Sequence, residues 1–196
     1  MANFTYRGLR TPKGETFVWR EDGNGKIELP FRLDLSNHSP SGLNWGYGGS
    51  GPAQLALALL ADFFGDTQAG QSMALALYQS FKRAPGSVCG RNKDRWEITG
   101  EELRTFLGIM IVDDLEHMSS KIRSLRDKLA FKLESEILDK LESEGADSVQ
   151  YQAVIERCMA QSNAEFSNLL QRVFGMSENF SKGILGHAIG ENAVVK

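Results

Sequence analysis

A chain of 196 residues with 41% hydrophobic and 24% charged side chains has ordinary globular usage, which suits one good core or two modest ones and excludes long disorder outside the termini. A formal net charge of −3 argues against a generic polyanion binder, because such affinity comes from Lys and Arg displacing counterions from phosphates. Two cysteines in neither a metal-ligand nor a disulfide spacing, an opening MANFTYRGLRT without an apolar core, and a longest apolar run (Leu55–Leu60) far below the roughly 20 residues of a membrane span predict a reduced, cytoplasmic protein with no membrane segment.

In chain order, residues 3–35 read as an antiparallel meander of three strands. Phe4 and Tyr6 lie two apart; Phe17 and Trp19 share a face with Val18 between them; Ile27, Leu29, Phe31, Leu33 and Leu35 alternate, with Pro30 marking an edge or bulge. The turns TPKGE and EDGNGK separate these runs. A loop follows from Ser36 to Gly49, and then the period becomes helical. Pro52 suits a first helical turn, and Leu55, Ala56, Leu59, Leu60, Phe63 and Phe64 are apolar nearly all round, which predicts a helix central to the core.

GDTQAG breaks that helix, and a second is expected over 69–82, burying Met73, Leu77, Tyr78 and Phe81. After RAPGSVCGRNKDR, the segment WEITGEEL reads as a helix start, with Thr99 as N-cap and Glu102 completing a capping box ahead of Leu103, Phe106, Leu107 and Met110. That closes an α+β unit over 1–112.

Residues 113–196 read as all-α. Leu115, Met118, Ile122, Leu125 and Leu129 follow coiled-coil spacing, and Leu133, Ile137 and Leu141 continue at steps of four, so the stripe drifts around the helix. SEGADS is a turn, a second amphipathic helix runs from Tyr151 to Val173, and MSENFSKGILGHAIG adds a short terminal helix. The expectation is an αα-hairpin whose seam serves as a partner or homodimer interface.

The most conspicuous candidate site is Trp45, Gly46, Tyr47, Gly48, Gly49, Ser50, Gly51 and Pro52. Gly46-x-Gly48-x-x-Gly51 matches the dinucleotide fingerprint formally, but a second helix follows where that fold needs a strand, and no Gly-Lys-Ser/Thr occurs. Helix-start chemistry gives a structural reading: glycines for unusual backbone angles, Trp45 and Tyr47 anchoring the loop on the sheet, Ser50 capping the helix. A bare helix N-terminus is also an anion site, so both readings stand.

Arg83, Arg91, Lys93 and Arg95, followed by Trp96, form a second candidate, for phosphate or an acidic partner; nucleic acid enters only through this local basic loop. Cys89, among these cations, reads as a flexible surface thiol. His38, His117 and His187 are too scattered for a shared centre, and Glu101-Glu102 and Asp113-Asp114 read as helix-start acids. No metal and no cofactor is expected.

LNWGYGGSGPAQLALALLADFFGD, then ALALYQSFK, then WEITGEEL resembles a small family of domains of unknown function from bacteria, phages and other mobile elements, over about residues 1–112. The resemblance supplies no catalytic residues. It implies a mobile-element protein that binds a host protein complex stoichiometrically, in the manner of anti-defence and anti-CRISPR inhibitors. The alternatives are a nucleotide- or phosphate-dependent enzyme working at Gly46–Gly51, and a homo-oligomeric interaction protein.

Overall fold

The computed structural model describes residues 4–113, 115–144 and 148–174, and within them the protein is α+β, with one four-stranded antiparallel sheet and five α-helices. Strands β1 (Phe4–Arg10), β2 (Thr16–Asp22) and β3 (Gly25–Glu28) form the meander, followed by α1 (Ser50–Phe64) and α2 (Gln68–Arg83). Strand β4 (Arg95–Thr99) then returns to the sheet ahead of α3 (Gly100–Asp113), α4 (Leu115–Glu144) and α5 (Ser148–Phe174). The chain divides into two compact units, Met1–Asp113 and Asp114–Lys196. The short terminal helix expected after Gly175 lies outside the described residues.

The sheet order is β3-β2-β1-β4, one strand more than the periodicity predicts. The segment read as a helix start is a strand first and a helix start second. Thr99 N–H and hydroxyl both donate to Glu102 Oε2 at 2.8 Å, and Glu102 N–H donates to Thr99 Oγ1 at 3.1 Å, so the expected capping box closes where β4 ends and α3 begins. Trp96 and Ile98 turn inward opposite Gly8 and Tyr6 of β1. Two apolar positions in a five-residue strand are too few to stand out by alternation.

The third strand was expected to run to Leu35, but β3 stops at Glu28. Pro30 offers the ladder no N–H, and Gln54 of α1 takes the segment over. This side chain is fully buried; its Oε1 accepts from the N–H groups of His38 (2.7 Å) and Ser39 (3.1 Å), and its Nε2 donates to the carbonyls of Phe31 (2.5 Å) and Ser36 (3.1 Å). The turn so held carries Arg32 at φ 56°, a left-handed conformation costly for a side-chain-bearing residue.

Strand β2 turns Val18, the residue between Phe17 and Trp19, inward. Val18 is buried at 3% exposure while Phe17 is 46% exposed, because the register pairs Val18 with Gly8, on whose inner side the Trp96 indole lies. A Cβ on Gly8 would collide with that ring.

Helix α1 is buried without a break from Gly51 to Ala61, as its all-round apolar pattern predicts. Thr67 caps α2 by accepting from Gly70 N–H at 3.1 Å, and α2 turns Met73, Leu77 and Phe81 inward, with Tyr78 half-buried beside the His38 ring. In α3 the inward row is Leu103, Leu107 and Ile111; the predicted Phe106 and Met110 are half-buried, Phe106 standing edge-on to Phe81. In the second unit α4 and α5 pack on each other as a hairpin.

Candidate functional site

The loop before α1 is built from the end of β1 outward. Arg10 donates from Nη2 to Asn44 Oδ1 (2.9 Å) and to the Trp45 carbonyl (2.6 Å), and its guanidinium lies 4.8 Å from the Trp45 ring centroid. Trp45 is fully buried, donates from its indole nitrogen to the Lys93 carbonyl at 2.7 Å, and meets Trp96 edge to face. Gly46 then donates to the Cys89 carbonyl at 2.9 Å with φ 88°, and a Cβ there would sit 3.2 Å from the Arg91 carbonyl, so this position requires glycine.

Among the remaining loop residues, Ser50 and Tyr47 depart from the expected pattern, while Pro52 takes its expected place in the first helical turn. Ser50 is the first helical residue and not the cap; Gly49 occupies the N-cap with an extended backbone and no side-chain cap bond. Tyr47 is not pinned to the sheet. It is 51% exposed, and its ring folds back over the helix start, where its hydroxyl and the Asn44 Cβ occupy the space above Gly51. Gly48 has open space around it, and Pro52 is buried in the first turn. The space that a side chain on Gly51 would need is therefore taken by the protein's own Tyr47 and Asn44.

Three different elements carry the basic candidates. Arg83 ends α2 and is exposed; Arg91 donates from Nη1 to the Glu97 carbonyl at 3.3 Å; Lys93 is exposed in the loop; Arg95 is exposed in β4, on the opposite side of the strand from Trp96. Arg91 also faces the Glu102 carboxylate, which hydrogen bonds from the Thr99 backbone and hydroxyl already hold below the usual carboxylate range. Among these cations, Arg91 already spends hydrogen-bonding capacity within the protein.

Cys89 is not a surface thiol. It is 1% exposed in a short 3-10 turn (Val88–Gly90), and burial pushes its pKa from 9.0 up to about 12. Cys158 of α5 is equally buried and its thiol is likewise raised by burial. Folded protein at pH 8 is therefore expected to leave both thiols unreacted with Ellman's reagent, and denatured protein to react at two; rapid reaction of Cys89 in the native state would contradict the placement. The shift also has a sign for stability. The Cys89 contribution is present below pH 9.0 and is lost as pH rises toward about 12. Tyr6, raised by burial and then by Asp62, acts in the same direction.

His38 lies beside Tyr78 with Nε2 3.2 Å from Ser36 Oγ, His117 is exposed on α4, and His187 lies outside the described residues. Glu101 and Glu102 do occupy a first turn, whereas Asp113 ends α3 and Asp114 lies outside the described residues. Among the described residues no group of three His, Cys, Asp or Glu could hold a metal ion, and no helix is long and apolar enough to cross a membrane.

The hairpin seam uses some of the predicted positions and replaces others. Ile122 and Leu129 are buried, Leu125 is only half-buried, and the side chains of Leu115 and Met118 lie outside the described residues. Arg126 takes the inward position between Ile122 and Leu129. It donates to Asp127 Oδ1 (2.9 and 2.6 Å) and Asn163 Oδ1 (3.3 Å), while the buried Ser162 hydroxyl donates to the Arg126 carbonyl at 2.7 Å. From α5, Cys158, Phe166, Leu169, Leu170 and Val173 are buried. The outward face of α4 holds a shallow depression of about 500 Å³ lined by Ser120, Arg123, Ser124, Asp127, Lys128 and Phe131, with Phe131 70% exposed.

Sequence reasoning missed Arg10 and Gln54, the two side chains that position the loops on either side of the site. Gln54 did carry a signal, as the one polar residue inside GPAQLALALL. Arg10 carried none beyond its place at a strand end.

Neither the curated proteins nor the solved structures hold a match to this chain. A family of unknown function, DUF6166, matches residues 6–109, the part that contains the sheet, the glycine loop and most of α1 to α3. The chain belongs to that family.

Proposed function

We propose that this protein works by stoichiometric binding to a host protein complex in the cytoplasm, as a mobile-element inhibitor of the anti-defence, anti-CRISPR type, and not by turnover. The observation that carries the reading is Phe131, 70% exposed on the outward face of a 30-residue helix and flanked by Arg123, Asp127 and Lys128. An aromatic anchor beside an arginine, within a polar surround, has the composition of an interface hot spot. The Tyr47 hydroxyl and Asn44 Cβ packed against Gly51 support the same reading, because they give the glycine there a packing role.

The test is quantitative affinity capture from the host with full-length protein and with Phe131→Glu. The wild type is expected to retain a defined complex at fixed stoichiometry. Phe131→Glu is expected to lose it by at least about tenfold while keeping its thermal midpoint, since the side chain is solvated in the free protein. Equal recovery by both proteins would exclude this face.

The homodimer alternative rests on the same hairpin. The buried state of Ile122 and Leu129 within the monomer weighs against the seam as its interface. Sedimentation as a monomer at micromolar concentration is the expected result.

A further inference from the structure

Helix α4 carries its charges in two blocks. Over residues 121–132, Lys121, Arg123, Arg126, Lys128 and Lys132 stand against the single acid Asp127. Over residues 134–144, Glu134, Glu136, Asp139, Glu142 and Glu144 stand against the single base Lys140. Phe131, 70% exposed, lies at the boundary, and Lys132 meets Glu136 across it at 4.0 Å.

This order runs against what the helix itself favours. The last turn of α4 holds Glu142 and Glu144 and no basic residue, although the helix dipole favours cations there. Charges sorted into blocks also set like beside like along the helix surface, as at Lys128 and Lys132, both exposed and four residues apart. The neighbouring helix does not compensate either block: α5 packs along α4 with Glu156 and Glu165 against Arg157 and Arg172, a neutral set. Asp127, the one acid of the basic block, is already held by the buried Arg126 at 2.9 and 2.6 Å. Arg123 and Lys128 are thus the uncompensated charges of the depression around Phe131.

We propose that the outward face of α4 receives a helix of a partner protein whose charges are segregated in the complementary sense. Its acidic stretch lies against residues 121–132, its basic stretch against residues 134–144, and an apolar side chain sits on Phe131. The inference rests on the hairpin as the binding face and adds the chemistry of what binds there. Two opposed blocks fix the partner's direction and register, as the charges flanking a coiled-coil seam do. A nucleic acid fits poorly, because a phosphate backbone attracted along the first block is repelled along the second. An antiparallel second copy of the chain has the required charge order, but the register that lays one block on the other sets Phe131 opposite Ser135 and not opposite an apolar side chain.

The experiment is fluorescence anisotropy of full-length protein with labelled, blocked helical peptides of about 24 residues, the length of the two blocks. All have one composition and one apolar stripe; the first has acids before bases, the second bases before acids, and the third alternating charges. One of the two segregated peptides is expected to bind at least about tenfold tighter than the alternating one, and the winner gives the partner's direction. The preference is expected to shrink in 0.5 M salt and to disappear in the double variant Arg123→Glu, Lys128→Glu. Equal affinity for segregated and alternating peptides, a preference that survives the double variant, a stable dimer in sedimentation at these concentrations, or equally tight binding of oligothymidylate would each overturn the assignment. Host capture that is lost in Phe131→Glu while the peptides bind equally removes the charge match and leaves the binding face; capture unchanged in Phe131→Glu removes the face itself.

Discussion

Gln54→Leu is expected to destabilise the first unit by about 3–5 kcal/mol, although leucine is of similar size and suits a buried helix better. The loss comes from the four backbone groups that Gln54 satisfies: two carbonyls, at Phe31 and Ser36, and two N–H groups, at His38 and Ser39. A buried group left unpaired costs on the order of 1–3 kcal/mol, and several of these sit in a part-buried segment where water recovers a share. The transfer gain for leucine, about 2 kcal/mol, offsets only part of that sum. Urea unfolding followed by tryptophan fluorescence reads the result directly. An unfolding free energy within about 1 kcal/mol of wild type would mean that the 31–39 segment is held by something else.

Trp45→Ala is expected to cost about 3–5 kcal/mol by removing a fully buried indole, and Trp45→Phe less, because phenylalanine keeps most of the contact with Trp96 and Arg10 while orphaning the Lys93 carbonyl. The order of the two variants is the informative part. Equal loss in both would assign the effect to the hydrogen bond alone. A negligible loss in both would show that the glycine loop is not anchored where the structure places it.

Helices were legible in the sequence because their signals are local. The apolar run of α1, the Thr99–Glu102 box and the inward triad Met73, Leu77 and Phe81 of α2 all depend on spacings within one element. The sheet was legible only where strands are joined by hairpins. Strand β4 pairs with β1 across almost the whole first unit, and nothing in RWEIT announces that pairing. The alternation from Ile27 to Leu35 misled for the opposite reason: period two was present, but Pro30 and the long reach of Gln54 decided its backbone.

The same division governs the candidate site. Gly46 could be read as conformationally required from its neighbours, whereas the folding of Tyr47 over Gly51 depends on a side-chain direction that spacing does not encode. Arg126 in the hairpin seam was hidden because a 3-4-3-4 count assigns the apolar Leu125 inward; the buried row instead steps by four from Ile122 to Arg126 and by three to Leu129.

Beside the Phe131 face, the functional account rests on the N-terminus of α1 being a structural joint and not a phosphate cradle. Amide chemical shifts of the labelled protein, titrated with ATP, GTP and inorganic phosphate, test it at the atoms concerned. The account predicts that the resonances from Gly48 to Ala53 stay unmoved up to millimolar ligand, in the wild type as in Tyr47→Phe. Saturable movement of those amides by any one of the three, with the Tyr47 ring displaced, would contradict it.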